Sequence, residues 1–318
     1  MSLQLKEKRK AWKGPYGLVI IFAITLISFG FYQRADAQQK TFKSPEDSVK
    51  SLIEAVRAHD TKEVLAIFGP EGKEIISTGD KVQDRATGER FIKAYDEMNK
   101  LEKETDSKVI LVLGNEEWPF PIPIVKKGET WCFDTKAGKE ELINRRIGRN
   151  ELNTIQTCLA YVDAQREYVW KDRNDDKVRE YAQKFWSTKG KKDGLYWETK
   201  EGEEQSPVGL GAARAVREGY TRRKPGDKPS PFHGYFYKIL KAQGKNAPGG
   251  AYDYVVKGKM IGGFALIAYP SEYGASGVMT FIVNHDDVVY QKDLGAKTAK
   301  IANAMTKFDP DQNWKKAE

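Results

Sequence analysis

Apolar residues recur along this chain in two rhythms, and the change from one to the other divides it. After Ser44, the residues Val49, Leu52, Ile53 and Val56 fall at three- and four-residue spacing, which marks one face of a helix. Ser44-Pro45-Glu46-Asp47 writes the start of that helix. It supplies a hydroxyl to cap free N–H groups, a proline at the first helical position and acids against the positive end of the helix dipole. His59-Asp60 interrupts it, and Thr61 to Phe68 predicts a second short helix stopped by Gly69-Pro70. A third helix is predicted from about Gln83 to Lys100. Val109 to Leu113 and Ile124-Val125 read as strands, with Pro119, Pro121 and Pro123 holding the chain extended between them. From Lys139 to Ser187 the helical spacing returns as two stripes. One runs through Ile143, Ile147, Leu152, Ile155, Leu159, Val162, Tyr168 and Val169, the other through Val178, Tyr181, Ala182, Phe185 and Trp186. Asn174-Asp175-Asp176 separates them, and core packing at a helix–helix seam accounts for their aromatic content.

Strand rhythm takes over between Gly249 and Gly295. Tyr252 to Val256 is rich in aromatic and β-branched residues. Gly263 to Tyr269 is continuously apolar and too short for a typical helix, so it predicts a buried strand that ends at Pro270. Met279 to Val283 is the next strand, Asn284 to Asp287 a hairpin turn, and Val288 to Tyr290 the returning strand. A short helix follows. Helices leading into antiparallel strands predict an α+β fold. The expected partition is a 1–37 leader, an α+β region over 38–135, a helical segment over 136–187, a long connection over 188–231 and a β-meander over 232–318. The long connection is rich in Gly, Lys, Glu and Pro. It holds one short helix candidate, Ala212 to Glu218, and offers Tyr196-Trp197 and Leu210 for docking on a core.

The first thirty-seven residues read as an export signal. Lys6, Lys8, Arg9, Lys10 and Lys13 precede the apolar run Leu18 to Phe31, and Ala35-Asp36-Ala37 places cleavage after Ala37. An uncleaved membrane anchor is the rival reading, although the run is short of the ~20 residues that span a bilayer comfortably. Either reading puts the rest of the chain in the periplasm or outside the cell. Membrane contact is expected only through this segment, if it is retained. The formal charge of +8 falls to +4 once its six basic and two acidic residues are removed. No basic stripe accompanies that mild excess, so nucleic acid is not an expected partner. In an oxidising compartment the two cysteines, Cys132 and Cys158, form a disulfide candidate. It would close a loop of roughly 27 residues, worth about 3 kcal/mol in the chain-entropy model. Two buried thiols that never meet are the alternative.

The sequence carries no HExxH, no P-loop, no GxSxG elbow and no dinucleotide glycine fingerprint, and implies no cofactor or metal. Gly274-Ala275-Ser276-Gly277 has the wrong spacing for a nucleophile elbow. Asp80, Asp84, Arg85 and Arg90 fall near one end of the third predicted helix, where paired carboxylates beside arginine suit a cation or acid–base work. Helix capping and a surface ion-pair network explain them as well. His233, ahead of Gly234-Tyr235-Phe236-Tyr237, and His285-Asp286-Asp287 have the chemistry of a base or metal ligand, and ordinary solvated turns have the same look. Asp309-Pro310-Asp311 resembles an acidic calcium turn without the remaining ligands of such a loop.

Two blocks are similar to DUF2950, a family of exported bacterial proteins of unknown function. The first is Phe68-Gly69-Pro70-Glu71-Gly72 with Ser77-Thr78-Gly79-Asp80 and Asp84-Arg85. The second holds Gly249 to Tyr254, Met260 to Leu266 and Lys292-Asp293-Leu294-Gly295. The resemblance spans essentially the whole chain after the leader and implies no catalytic residue. The opening helices also resemble the start of nuclear-transport-factor-2-like cone domains. Tyr269-Pro270, Tyr273-Gly274, Thr280 to Asn284 and Val289-Tyr290 resemble the last strands of pilin and pseudopilin globular domains, over about fifty residues. Two functions are therefore open. One is a non-enzymatic periplasmic interaction or assembly module with an envelope protein partner. The other is a periplasmic ligand-binding protein or hydrolase with its cleft between the N- and C-terminal regions.

Overall fold

The computed structural model describes residues 39–200, 202–209, 211, 220 and 230–317. The expected leader with its expected cleavage after Ala37, the helix candidate Ala212 to Glu218, and Leu210 lie outside the described residues. Residues 37–318 form one compact unit holding two hydrophobic cores. Among the described residues no helix is long and apolar enough to cross a membrane.

The first core lies between helices and an antiparallel sheet. Helix α1 (Pro45–Arg57) starts where the sequence places it, with the Ser44 side chain accepting from the Asp47 N–H. Asp60 caps α2 (Thr61–Phe68) through the N–H groups of Lys62 and Glu63. A short α3 (Lys73–Ile76) leads to α4 (Lys81–Glu97), capped by Asp80. Strands β1 (Asn99–Thr105), β2 (Lys108–Leu113), β4 (Ile124–Lys127) and β5 (Thr130–Phe133) run in that order across the sheet, with the two-residue β3 (Trp118–Pro119) against β2. Leu52, Ile53 and Ile67 from the helices meet Leu111, Leu113, Ile124 and Phe133 from the sheet. Each such fully buried aliphatic side chain contributes about 1.5–3 kcal/mol. The edge strand β1 was not foreseen. Its charged run Lys100, Glu102, Lys103 and Glu104 is the kind that keeps an open edge from pairing with another chain.

Helix α5 (Thr135–Val169) is the spine of the unit. Its 35 residues extend for about 52 Å at 1.5 Å each. Near its start Gly138 lies so close to Pro121 that a Cβ there would sit 2.2 Å from the proline carbonyl oxygen. Near its end Cys158, Tyr161, Val162 and Tyr168 enter the second core. The second sheet has the order β14-β13-β12-β11-β6, all antiparallel: Lys315–Lys316, Tyr290–Asp293, Met279–Asn284, Ala265–Pro270 and Tyr235–Leu240. Tyr161 Oη donates to the Ala265 carbonyl, which puts α5 on one face. Lys238 and Tyr269 bond to the final helix, α6 (Thr298–Ala304), and its C-terminal residues on the other.

Three expectations are corrected. The segment Val178 to Trp186 is not a helix. It runs without regular structure along the second core, with Ala182 buried in it, and its backbone groups find tertiary partners instead: Tyr181 N–H on the Met260 carbonyl, Ala182 N–H on Gln165 Oε1, and the Phe185 carbonyl under Tyr196 N–H. The strand beside β11 is β6, whereas Tyr252 to Val256 splits into two short strands. These are β8 (Tyr252–Asp253), on β7 (Ala242–Gln243), and β9 (Val255–Val256), on β10 (Lys259–Met260). The disulfide does not form; both cysteines are free and buried. Cys132 lies on β5, just before α5, while Cys158 lies some 23 residues along that helix, about 35 Å down its axis. A bridge needs Cα atoms within about 7 Å.

Candidate functional site

The site forms where the start of α4, the middle of α5 and two turns of the C-terminal region converge. Asp80 is at its centre and is 1% exposed. Its Oδ1 accepts from the N–H groups of Val82 and Gln83, both at 3.1 Å, which is the N-cap of α4. Its Oδ2 accepts from Tyr220 Oη at 2.8 Å and from the Gly234 N–H at 3.0 Å. The same tyrosine oxygen accepts from the His233 N–H at 3.1 Å. One carboxylate thus closes a helix end and ties it to residues 140 and 154 positions away.

A second layer surrounds it. Thr78 gives its hydroxyl proton and its N–H to Asp84 at 2.7 and 3.1 Å, and its own hydroxyl oxygen accepts from the Asp80 N–H. Burial raises the Asp84 carboxyl above its ordinary range, against the lowering effect of the Thr78 bonds. Arg146 donates to the carbonyls of Glu74 and Ile75 at 2.8 and 2.6 Å. Burial lowers the pKa of its guanidinium, and the charge of Asp84 opposes that shift. Asn150, wholly buried, exchanges amide bonds with Gln83 and donates to the Ser276 carbonyl at 2.8 Å. Ser271 donates to the Thr78 carbonyl at 2.9 Å. Glu151 Oε1 accepts the N–H groups of Val278 and Met279, both at 2.9 Å.

Two glycines make this closeness possible. Gly234 has φ +78°, and a Cβ there would sit 2.5 Å from Asn150 Nδ2. A Cβ on Gly277 would sit 2.0 Å from Tyr235 Oη, which donates to the Met279 carbonyl. The Gly274 to Gly277 loop is therefore a packing element at this seam.

Of the residues singled out by sequence, Asp80, Asp84 and the backbone of His233 come together here. The His233 ring centroid lies 4.0 Å from that of Phe232, the two rings tilted by 52°. Arg85 does not join them; it is exposed and paired with Glu89 one turn on. Arg90 donates to Thr87, and burial lowers its pKa with help from Arg149. His285 is elsewhere, its Nε2 3.4 Å from Tyr252 Oη and its ring edge-on to Tyr254. Asp309 and Asp311 diverge, the first to the Asn246 N–H and the second to Lys292. Among the described residues no group of three or more His, Cys, Asp or Glu is arranged to hold a metal. Sequence reasoning missed Asn150, Gln83, Tyr220, Gly234 and Ser276 as members. The candidates Asp80, Asp84 and His233 marked the location, and the family-like block around Thr78-Gly79-Asp80 overlaps it.

A family model described as a protein of unknown function, DUF2950, matches residues 39–317. No curated protein and no solved structure gives a match.

Proposed function

The chain belongs to the DUF2950 family, and from that premise we propose that it is an exported, non-enzymatic interaction module of the cell envelope. Its two cores, strung on α5, are locked into one rigid presenting body. The observation that carries this reading is the use made of the seam. Asp80, Gln83, Asn150, Glu151 and Ser271 each direct hydrogen bonds across it, to backbone groups, to one another or to the Tyr220 hydroxyl, while Asp84 is taken up by Thr78 beside it. Carboxylates arranged for acid–base work need a face open to a substrate. The described grooves open elsewhere, one between α1 and α4 and one beside α6. Large apolar side chains stand exposed on the C-terminal half instead, among them Trp170 at 70% and Ile261 at 45%. The apolar run Leu18 to Phe31 behind a basic stretch supports export.

The test is site-specific photo-crosslinking in intact cells. A photoreactive residue at Trp170 or Ile261 is expected to trap one defined envelope protein, and the same residue at the exposed Glu129 to trap none. Intact mass of the recovered chain reports cleavage after Ala37. The reading fails if no position yields an adduct while a small molecule raises the melting temperature and Asp84→Ala abolishes that rise.

A further inference from the structure

The stretch from Leu294 to Phe308 carries Lys297, Lys300 and Lys307 and no acidic residue. It includes α6, a helix that turns Thr298 and Ala302 inward onto the sheet. Its other side is an open groove of about 540 Å³ lined by Lys297, Lys300, Ile301, Ala304 and Met305. Ile301 is 39% exposed. The acids nearest in sequence are all engaged elsewhere. Asp293 accepts from Tyr273 and from the Gly295 N–H, Asp309 holds the Asn246 N–H, and Asp311 pairs with Lys292. Among the described residues Lys297, Lys300 and Lys307 have no ion pair.

The placement of two of these lysines works against the helix. Lys297 is the N-cap residue and Lys300 falls in the first turn, where a cation meets the positive end of the dipole. No side chain caps this end. At the other end the half-buried Lys238 donates its ammonium protons to the carbonyls of Ala302, Asn303 and Met305, which fastens α6 to β6. The result is a firmly seated apolar strip of Ile301, Ala304 and Met305, rimmed by Lys297 and Lys300, which have no ion pair among the described residues.

We propose that this face docks on the surface of an anionic lipid bilayer, with Ile301 and Met305 entering the headgroup boundary and Lys297, Lys300 and Lys307 meeting lipid phosphates. Charge complementarity selects this occupant. The charges are mobile ammonium groups beside exposed aliphatic carbon, the chemistry of an interfacial helix. No arginine, whose bidentate fork favours fixed carboxylate geometry, is among the described residues that line this groove. The inference stands apart from the seam and from the identity of any protein partner. It also goes beyond a membrane contact made only through the leader.

The experiment is flotation of residues 37–318, the unit that holds both cores, with phosphatidylcholine vesicles and with equal-part phosphatidylcholine–phosphatidylglycerol vesicles. Binding is expected to the anionic vesicles alone and to fall with added salt. K297Q/K300Q should weaken it by about tenfold to thirtyfold, at roughly 1 kcal/mol per lysine. The double variant K126Q/K127Q removes the same charge from exposed β4 positions and should leave it unchanged. Far-UV circular dichroism confirms that the variants fold, as fully exposed substitutions should. Equal weakening by the β4 control would overturn the proposal, since net charge would then explain the binding. So would an absence of flotation, or binding to polyglutamate without binding to vesicles, which would make the face a site for acidic polypeptide.

Discussion

Removing the Asp80 carboxylate isolates the strength of the seam, because the chain carries its own control. Asp60 caps α2 with two N–H bonds at 3.0 Å and does nothing across the seam, so Asp60→Ala measures a cap alone. That loss is about 1 kcal/mol. Asp80→Ala removes an equivalent cap and also strands the Gly234 N–H and the Tyr220 hydroxyl. A buried donor left without its acceptor costs about 1–3 kcal/mol. The Gly234 N–H is buried and takes the upper part of that range, whereas Tyr220 is only half-buried and regains water, so it takes the lower part. The expected total is about 3–5 kcal/mol, and the excess over Asp60→Ala about 2–4 kcal/mol. Urea unfolding followed by tryptophan fluorescence reads both variants on one scale, provided the denaturant slope is unchanged. An excess below about 0.5 kcal/mol would refute the reasoning, since Asp80 would then be only a helix cap.

Three further outcomes follow from particular contacts. Gly277→Ala should destabilise by about 2 kcal/mol or more in urea unfolding, since the new methyl would meet the Tyr235 hydroxyl and the ring carbons beside it, and Tyr235→Phe in the same chain should recover little of that loss. Glu204 is held by Lys171, Arg173 and Lys192, with Arg173 sandwiched between the rings of Tyr168 and Trp197, and its carboxyl is pushed down to about 2. Its unfolded value is about 4.3. The contribution is therefore complete above that pH and is lost as pH falls towards 2. After allowance for solvent screening it is about 1–2 kcal/mol. Subtracting the stability–pH curve of Glu204→Gln from that of the parent should show this step and nothing above pH 5. Cys158 has its thiol pushed up to about 12 by burial. Neither it nor Cys132 should react with a thiol reagent until the chain unfolds, and a reductant should leave the melting temperature unchanged.

Local chemistry made much of this fold legible in the sequence. Ser44-Pro45, Asp60 and Asp80 declared helix starts within the chain that they cap, and the apolar strands Ala265–Pro270 and Met279–Asn284 follow from composition alone. What escaped was set at a distance. Val178 to Trp186 has helical spacing, yet Gln165 and Met260 supply partners for its backbone outside any helix. Asp80 and Asp84 were identifiable as one end of a helix. Tyr220 and Gly234, partners of Asp80, and Asn150, partner of Gln83, carry no local signal, because each matters only through a contact more than sixty residues away. Distance in space also separates the cysteines: both lie in plausible elements, but the length of α5 keeps them apart.

Hydrogen exchange at the seam tests the central claim most directly. If the two cores are locked as one body, the Gly234 and Gln83 amides, both bonded to Asp80, should exchange only through global unfolding, with the same denaturant dependence as the Leu266 and Ile282 amides of the second sheet. Exchange of Gly234 and Gln83 through a low-energy, denaturant-independent opening while the sheet stays protected would contradict the account, and would describe a hinged cleft instead.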